Sequence, residues 1–312
     1  MKTKKTIVML SALAAALCLG SCDKNEEASV DNGAVRFTAG IGKEAVATPQ
    51  TRASGTTWDP DDEIGIFMVT HGNTYIAEAA ENKQFSTTDG SKNFTPTSGN
   101  NIYYPMDNSR VDFIAYYPYK DGAKLAIAFP VEIATTQTTD SQADTDLMWA
   151  KADNSGPGYA KGAAPVALDF SHRLSKLTMN CKLDVSMGSA TLNGATVTIH
   201  GMNTVQTFNL ATGTLTGTPG TPRSITPRKL SRVPADCAGA YDAIILPGEY
   251  FLGVLSVDFT IGAETFTWYI EDITFDPGNE YIYEVTIKRT GVSATGEISP
   301  WTENVKDPVT AE

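Results

Sequence analysis

Short runs of alternating apolar and polar residues recur along most of this sequence, and turn-forming residues separate them. Val35, Phe37, Ala39 and Ile41 alternate with polar or small residues, and the same period of two returns at 281–287. Such a period gives a strand with one apolar face, while Gly, Pro, Asn and Asp between runs mark turns. With 26 glycines, 16 prolines and no long helical pattern, the sequence predicts an all-β fold built from β-sandwiches.

The length of 312 residues is enough for about two domains of ordinary size, each with its own core. One alternating run, at 166–170, leads directly into the next, at 171–181. We place the domain boundary there. The prediction is an N-terminal β-sandwich at 53–168 and a C-terminal β-sandwich at 169–312.

The first 21 residues have the composition of a secretory signal peptide. Three lysines precede an apolar run at 7–19, and no acid occurs among them. The run is too short to span a membrane. It ends in Leu-Gly-Ser-Cys, the lipobox pattern, in which a small residue precedes the cysteine that is acylated. We therefore expect 1–21 to be removed, Cys22 to carry the lipid, and the polar segment after it to be a flexible tether.

The first alternating strand lies between that lipid site and a candidate cleavage site at Arg52 and Ala53. The segment 45–57, rich in Ala, Thr, Ser and Gly, has the composition of a cleavable linker. If a protease cut after Arg52, the rest of the chain would lose one strand and expose two sheet edges to a strand from another protein. The alternative is that 35–41 is an ordinary first strand and Arg52 an ordinary loop residue. Both interpretations stay open at this point.

The sequence offers little for catalysis, metals or nucleic acid. The net charge is −12, and −15 without the signal-peptide lysines, so no basic surface for nucleic acid is expected. The three histidines are far apart in sequence, and no cysteine pair has zinc spacing. No nucleophile elbow or phosphate loop occurs. We expect no catalytic residue, no metal and no cofactor.

Two cysteines, Cys181 and Cys237, remain beyond the signal peptide and the lipid site. An exported chain can join such a pair in a disulfide, but a domain of this size does not need one. The sequence leaves the pairing undecided.

Short motifs lie in order along nearly the whole mature chain, at 19–22, 51–53, 58 with 62–67, 102–105, 111–118, 146–150, 170–177, 208–210, 244–247 and 298–301. Together they resemble the fimbrillin-like family of Bacteroidales lipoproteins, the subunits of type V pili. The acidic run that follows Cys22 also resembles the tag that sends lipoproteins of this group to the outer face of the outer membrane.

The resemblance implies two transthyretin-like β-sandwich domains in tandem and a palmitate-type lipid anchor at Cys22. It implies that an arginine-specific protease cuts between Arg52 and Ala53, so that 22–52 is a lipidated tether carrying a removable strand, Val35 to Ile41. The vacated place would then receive a strand from the C-terminal region of a neighbouring subunit. In this chain 293–301 is the natural candidate donor, although Pro300 interrupts its alternation.

The function expected from this resemblance is structural. The chain would be a stalk, anchor or tip subunit of a cell-surface pilus that contributes to adhesion, with other subunits, the outer membrane and a host or bacterial surface receptor as partners. The alternative is a monomeric surface lipoprotein that binds glycan or protein, which a face lined by Tyr103, Tyr104, Tyr116 and Tyr117 would favour. Neither interpretation includes an enzymatic activity.

Overall fold

A computed structural model describes residues 33–42 and 57–301 of the chain. These residues form an all-β structure of twenty-one strands with one short α-helix and one 3-10 turn. The first nine strands are β1 Phe37–Ile41, β2 Glu63–Thr70, β3 Lys83–Ser86, β4 Asn93–Pro96, β5 Val111–Tyr117, β6 Phe129–Glu132, β7 Met148–Ala152, β8 Val166–His172 and β9 Ser175–Leu183. The helix α1, Thr139–Thr145, lies between β6 and β7, and the 3-10 turn, Val185–Met187, follows β9.

The remaining strands belong to the C-terminal part of the chain. They are β10 Thr196–Met202, β11 Val205–Asn209, β12 Thr214–Thr216, β13 Arg223–Ile225, β14 Arg228–Lys229, β15 Gly239–Ile245, β16 Gly248–Tyr250, β17 Ser256–Ile261, β18 Glu264–Tyr269, β19 Ile273–Phe275, β20 Asn279–Lys288 and β21 Gly291–Pro300. No helix among the described residues is both long enough and apolar enough to cross a membrane.

Seven strands of the N-terminal part close into a barrel, in the order β1-β4-β3-β2-β5-β7-β8. The sequence predicted a sandwich here. The ring closes because β1 pairs on both sides, antiparallel to β4 and parallel to β8. Its position has a simple consequence: without β1, the barrel is an open sheet with two free edges.

Four further sheets make up the rest of the structure. Their orders are β13-β10-β17-β18, β12-β11-β6, β14-β15-β9-β20-β21 and β16-β19. Two observations bear on the expected boundary between residues 168 and 169. It falls inside β8, and β6, which precedes it, pairs with β11, which follows it. The division into two domains therefore stays a prediction, and the hydrogen bonds between β6 and β11 connect its two parts.

The core consists of two clusters of buried side chains, and strands β2 and β5 separate them. Because successive side chains of a strand point to opposite faces, Ile64 and Ile66 enter one cluster while Phe67 and Val69 enter the other. Every residue of β5 is buried. A strand covered on both faces reads as a continuous apolar run, as 111–117 does, with Asp112 as its one charged member.

Candidate functional site

Strand β1 fills a slot between β4 and β8 by its backbone. Phe37 and Thr38 stand opposite Phe94 and Asn93 of β4, and residues 37–41 stand opposite 166–170 of β8. Hydrogen bonds extend the pairing at both ends, from the Val35 amide to the Ile102 carbonyl at 2.9 Å and from the Gly42 amide to the Phe170 carbonyl at 2.9 Å. The strand predicted from alternation is present from Phe37 onward, with all five of its residues paired to β8 and two of them paired to β4.

The inward face of β1 is fully apolar and buried. Val35, Phe37, Ala39 and Ile41 are each 5% exposed or less. The Phe37 ring packs edge-on against two others, with centroids 5.0 Å from Phe85 and 5.1 Å from Phe113. Burial of this kind stabilises a structure by roughly 1.5–3 kcal/mol for each large side chain. The four residues named from the sequence as the removable strand are therefore the contacts that hold β1 in the barrel.

Trp58 completes the slot, and the sequence did not indicate its role. Its indole Nε1 donates a 2.8 Å hydrogen bond to the backbone carbonyl of Ala39. Three rings, Phe94, Tyr117 and Phe170, surround the indole edge-on with centroids 5.0 to 5.4 Å away. Because Trp58 follows Arg52 in sequence, a cut after Arg52 would leave this indole with the barrel. The indole N–H would then face an empty slot, without the Ala39 carbonyl as its acceptor.

The end of the C-terminal strand is attached close to the end of β8. Trp301, which follows β21, stacks on the His172 ring with centroids 4.1 Å apart and an interplanar angle of 11°. His172 Nδ1 lies 2.9 Å from Asp146 Oδ1, and the Trp301 amide donates to the Gly278 carbonyl at 2.8 Å. All three side chains are buried. Strand β8 therefore pairs with β1 and also contacts, through His172, the residue that follows β21.

The lipid site Cys22 and the cleavage site at Arg52 and Ala53 lie outside the described residues, as does the signal peptide. The two other predicted site residues, Cys181 and Cys237, are present as free thiols. Cys181 lies in β9 opposite Gly239 of β15, and its carbonyl accepts a 2.7 Å hydrogen bond from the Ala238 amide. The chain therefore brings Cys237 next to Cys181 without joining them.

The burial of these two thiols predicts different reactivity. Desolvation raises the pKa of Cys181 to about 12, whereas Cys237 is half-buried and its pKa is also raised by burial. At pH 8 only roughly one Cys181 in ten thousand would be a thiolate, the reactive form. We expect iodoacetamide to modify Cys237 and not Cys181 in the folded protein, as measured by peptide mass mapping. A disulfide would instead protect both until a reductant is added, and modification of Cys181 alone would contradict the expectation.

The tyrosine-lined face considered from the sequence does not form. Tyr104, Tyr116 and Tyr117 are buried, and of the four only Tyr103 is substantially exposed, at 46%. The Tyr116 hydroxyl donates inward, to Asn82 Oδ1 at 2.8 Å. A stacking platform for sugars would need several exposed rings on one face, so these residues do not favour glycan binding.

The described part of the chain shows no cluster of side chains suited to a metal ion. No group of three or more His, Cys, Asp and Glu side chains there could hold a metal ion. The histidines are joined to single carboxylates: His71 to Asp112 at 2.8 Å, and His200 Nε2 to Asp258 at 3.1 Å. The arrangement with the clearest chemical consequence is therefore the apolar slot that β1 occupies.

Comparisons with known proteins identify the family of this chain. The model of the fimbrillin-like family matches residues 51–301. The chain is 31% identical to "Putative fimbrium subunit Fim1C" of Bacteroides uniformis, over 96% of each sequence. A solved structure of "a putative cell adhesion protein" from Bacteroides uniformis has a TM-score of 0.69 and 29% identity, and covers 86% of this chain and 98% of that one.

A similar fold occurs in a protein of much lower sequence identity. The solved structure of the tip fimbrial protein Mfa3 from Porphyromonas gingivalis, with a C-terminal truncation, has a TM-score of 0.50 at 8% identity. It covers 86% of this chain and 100% of that one, and at such low identity the likeness concerns the fold alone. Since the family model spans most of the described structure and a relative matches over nearly the full length, this chain belongs to the fimbrillin-like family.

Proposed function

We propose that this protein is a structural subunit of a cell-surface pilus, and that it assembles after proteolysis removes β1 and another subunit's strand takes its place. The observation that carries the proposal is the position of β1. It is the first strand of the described chain, it pairs on both edges, and it contributes a complete apolar face to the core. Membership in a fimbrial family supports a role in a pilus, and the position of β1 in the slot supports assembly by strand exchange.

Removal of β1 alone would leave the slot between β4 and β8 empty. The barrel would keep the aromatic lining of the slot and the Trp58 donor, but β4 and β8 would each present an unpaired edge. Unpaired edges beside an exposed apolar groove favour pairing with another chain. An incoming strand that makes the same contacts would then supply the stabilisation that β1 provides in the uncut chain.

The C-terminal strand supports the other half of the exchange. β21 lies at the edge of its sheet and pairs with β20 alone among the described strands. Most of its residues are exposed, so it contributes less to the core than β1 does. A terminal edge strand of this kind can leave its own subunit at a lower cost than an internal one. Trp301 docked on His172 is the contact that such a release would have to break first.

The finer features belong to the same proposal. We infer export with a signal peptide at 1–21, a lipid on Cys22, attachment to the outer membrane at the cell surface, and cutting by an arginine-specific protease between Arg52 and Ala53. We also retain the two transthyretin-like domains, a surface receptor as an eventual partner, and a role without catalysis. Within a pilus the subunit would serve as stalk, anchor or tip.

The decisive experiment is intact mass and N-terminal sequencing of protein recovered from cells, with an unheated gel, before and after treatment with an arginine-specific protease. We expect a new terminus at Ala53 together with a ladder of heat-sensitive oligomers. An Arg52→Ala variant is the matched control and should keep its acylated terminus and run as a monomer. A wild-type chain that resists cutting and stays monomeric would overturn the mechanism and favour a monomeric surface lipoprotein that binds glycan or protein.

A further inference from the structure

The slot that β1 fills carries a specificity pattern, and we propose that it selects a strand from a different protein rather than β21 of a second copy of this chain. Along β1 and the residues before it, the inward-facing side chains are, in order, branched (Val35), aromatic (Phe37), small (Ala39) and branched (Ile41). This inference rests on the proposed function and names the kind of partner that strand exchange would use.

The aromatic position is set by Phe37. Its ring meets Phe85 and Phe113 at interplanar angles of 83°, and it is 2% exposed. Edge-to-face packing against two rings defines both the volume and the shape of this part of the slot. A small side chain here would leave a cavity between the two rings, and such a cavity destabilises a packed core.

The small position is set by Ala39. Ala39 is fully buried, and its carbonyl accepts the Trp58 hydrogen bond. The indole therefore lies against the β1 backbone at this residue and is itself fixed by three neighbouring rings. A larger side chain at residue 39 would have to displace part of this packed group. The incoming strand must also run antiparallel to β4 and parallel to β8, as β1 does.

The chain's own C-terminal strand does not carry the pattern. Its alternating apolar or small residues are Val292, Ala294, Gly296 and Ile298, and the residues between them are Ser293, Thr295 and Glu297. Only one register places branched residues at both ends of the slot, with Val292 in the place of Val35 and Ile298 in the place of Ile41. That register places Ala294 where Phe37 lies. Trp301 is the one aromatic residue of 291–301, and the register that would bring it to that position places Glu303 where the small Ala39 lies. A second copy would therefore fill the ends of the slot and leave its centre empty.

A chimeric full-length chain tests this without any proteolysis. Residues 35–41 are replaced by the sequence of residues 292–298, and a matched version retains Phe at position 37. We expect the first chimera to melt about 6 °C or more below the wild type, or not to fold, because of the central cavity. The version that retains Phe37 should recover most of that loss. Equal melting of the first chimera and the wild type would overturn the inference, as would failure of Phe37 to restore stability.

Peptide competition tests the exchange itself. Full-length protein nicked after Arg52 is loaded with a fluorescein-labelled peptide of residues 33–42, and unlabelled peptides compete for the slot. The peptide 33–42 should compete about a hundredfold better than its Phe37→Ala form or the peptide 291–300. An Ala294→Phe form of the latter should regain at least about tenfold.

The outcomes separate the two proposals. If peptide 291–300 competes within about threefold of peptide 33–42, the slot accepts strands but does not select against this chain, and only the specificity inference fails. If no peptide enters a nicked protein, the slot does not exchange strands, and the proposed function fails together with the inference. The competition series expected above supports both.

Discussion

Replacing Phe37 with aspartate is expected to lower the free energy of unfolding of the full-length chain by about 4 kcal/mol or more. Loss of a buried phenylalanine by itself costs about 3–5 kcal/mol. The aspartate adds a polar group to a buried apolar cluster, where it has no compensating hydrogen bond. The ring contacts with Phe85 and Phe113 and the 2% exposure of Phe37 identify this as a core position.

Arg36→Asp is the matched control, since Arg36 is the preceding residue and its side chain is exposed. Urea unfolding should show a change within about 0.5 kcal/mol for this variant. A small effect of Phe37→Asp would show that β1 contributes little to the fold. In protein released after Arg52 the Phe37 substitution should have no effect on melting, because the residue has left with the strand, and an equal effect in both forms would contradict removal.

The second large effect is expected at Asp242, a buried carboxylate in the five-stranded sheet. Arg228 holds it through two hydrogen bonds, of which Nε to Oδ1 is 2.8 Å long. The Lys176 ammonium lies 3.5 Å from Asp242 and 3.6 Å from Glu280. Gln142 of α1 donates to the Asp242 carboxylate at 3.1 Å. The group thus ties four elements together at one point of the sheet.

Asp242→Ala is expected to cost about 3–5 kcal/mol, because it leaves Arg228 and Lys176 partly buried without their shared partner. The matched control is Glu284→Ala. Glu284 pairs with Lys182 at 2.6 Å between β9 and β20 of the same sheet, but both side chains are about 40% exposed or more. An exposed pair of this kind contributes about 1 kcal/mol or less. Similar losses for the two variants in urea unfolding would contradict the assigned role of Asp242.

The same residue predicts a dependence on pH. Burial would raise the pKa of Asp242, but Arg228, Lys176 and Gln142 outweigh it and hold the pKa below the ordinary 3.8. Because the folded pKa is the lower one, the stabilisation is complete above about pH 4 and is lost as pH falls through the folded pKa. The difference in unfolding free energy between wild type and Asp242→Asn should therefore shrink below pH 4. A constant difference down to the acid transition would contradict this.

Several features of the fold and the site follow from the sequence because they depend on local pattern. The alternation at 35–41 identifies β1 and its buried face, and every inward residue named from it is 5% exposed or less. The helix α1 is a feature that pattern did not reveal. At seven residues it is too short to show an apolar period, and a capping box at Thr138 and Ser141 starts it.

Other features depend on where distant segments meet. Residues 102–105 lie outside the regular strands, and Tyr103 makes an isolated bridge to Ala34. The role of Trp58 follows from Ala39, 19 residues earlier, coming within hydrogen-bond reach of the indole. Tyr104, Tyr116 and Tyr117 were considered for an exposed face and are buried. In each case the residue type allowed both outcomes, and long-range packing selected one.

Local pattern is enough to identify this chain as all-β, to locate its first strand and to show which face of that strand is apolar, because a period of two is a property of neighbouring residues. Long-range packing is needed to show that β1 closes a barrel between β4 and β8, that Phe37 and Ala39 define a shaped slot, and that Trp301 docks on His172. Those arrangements depend on pairing between segments far apart in the chain, and residue spacing does not encode which edges meet.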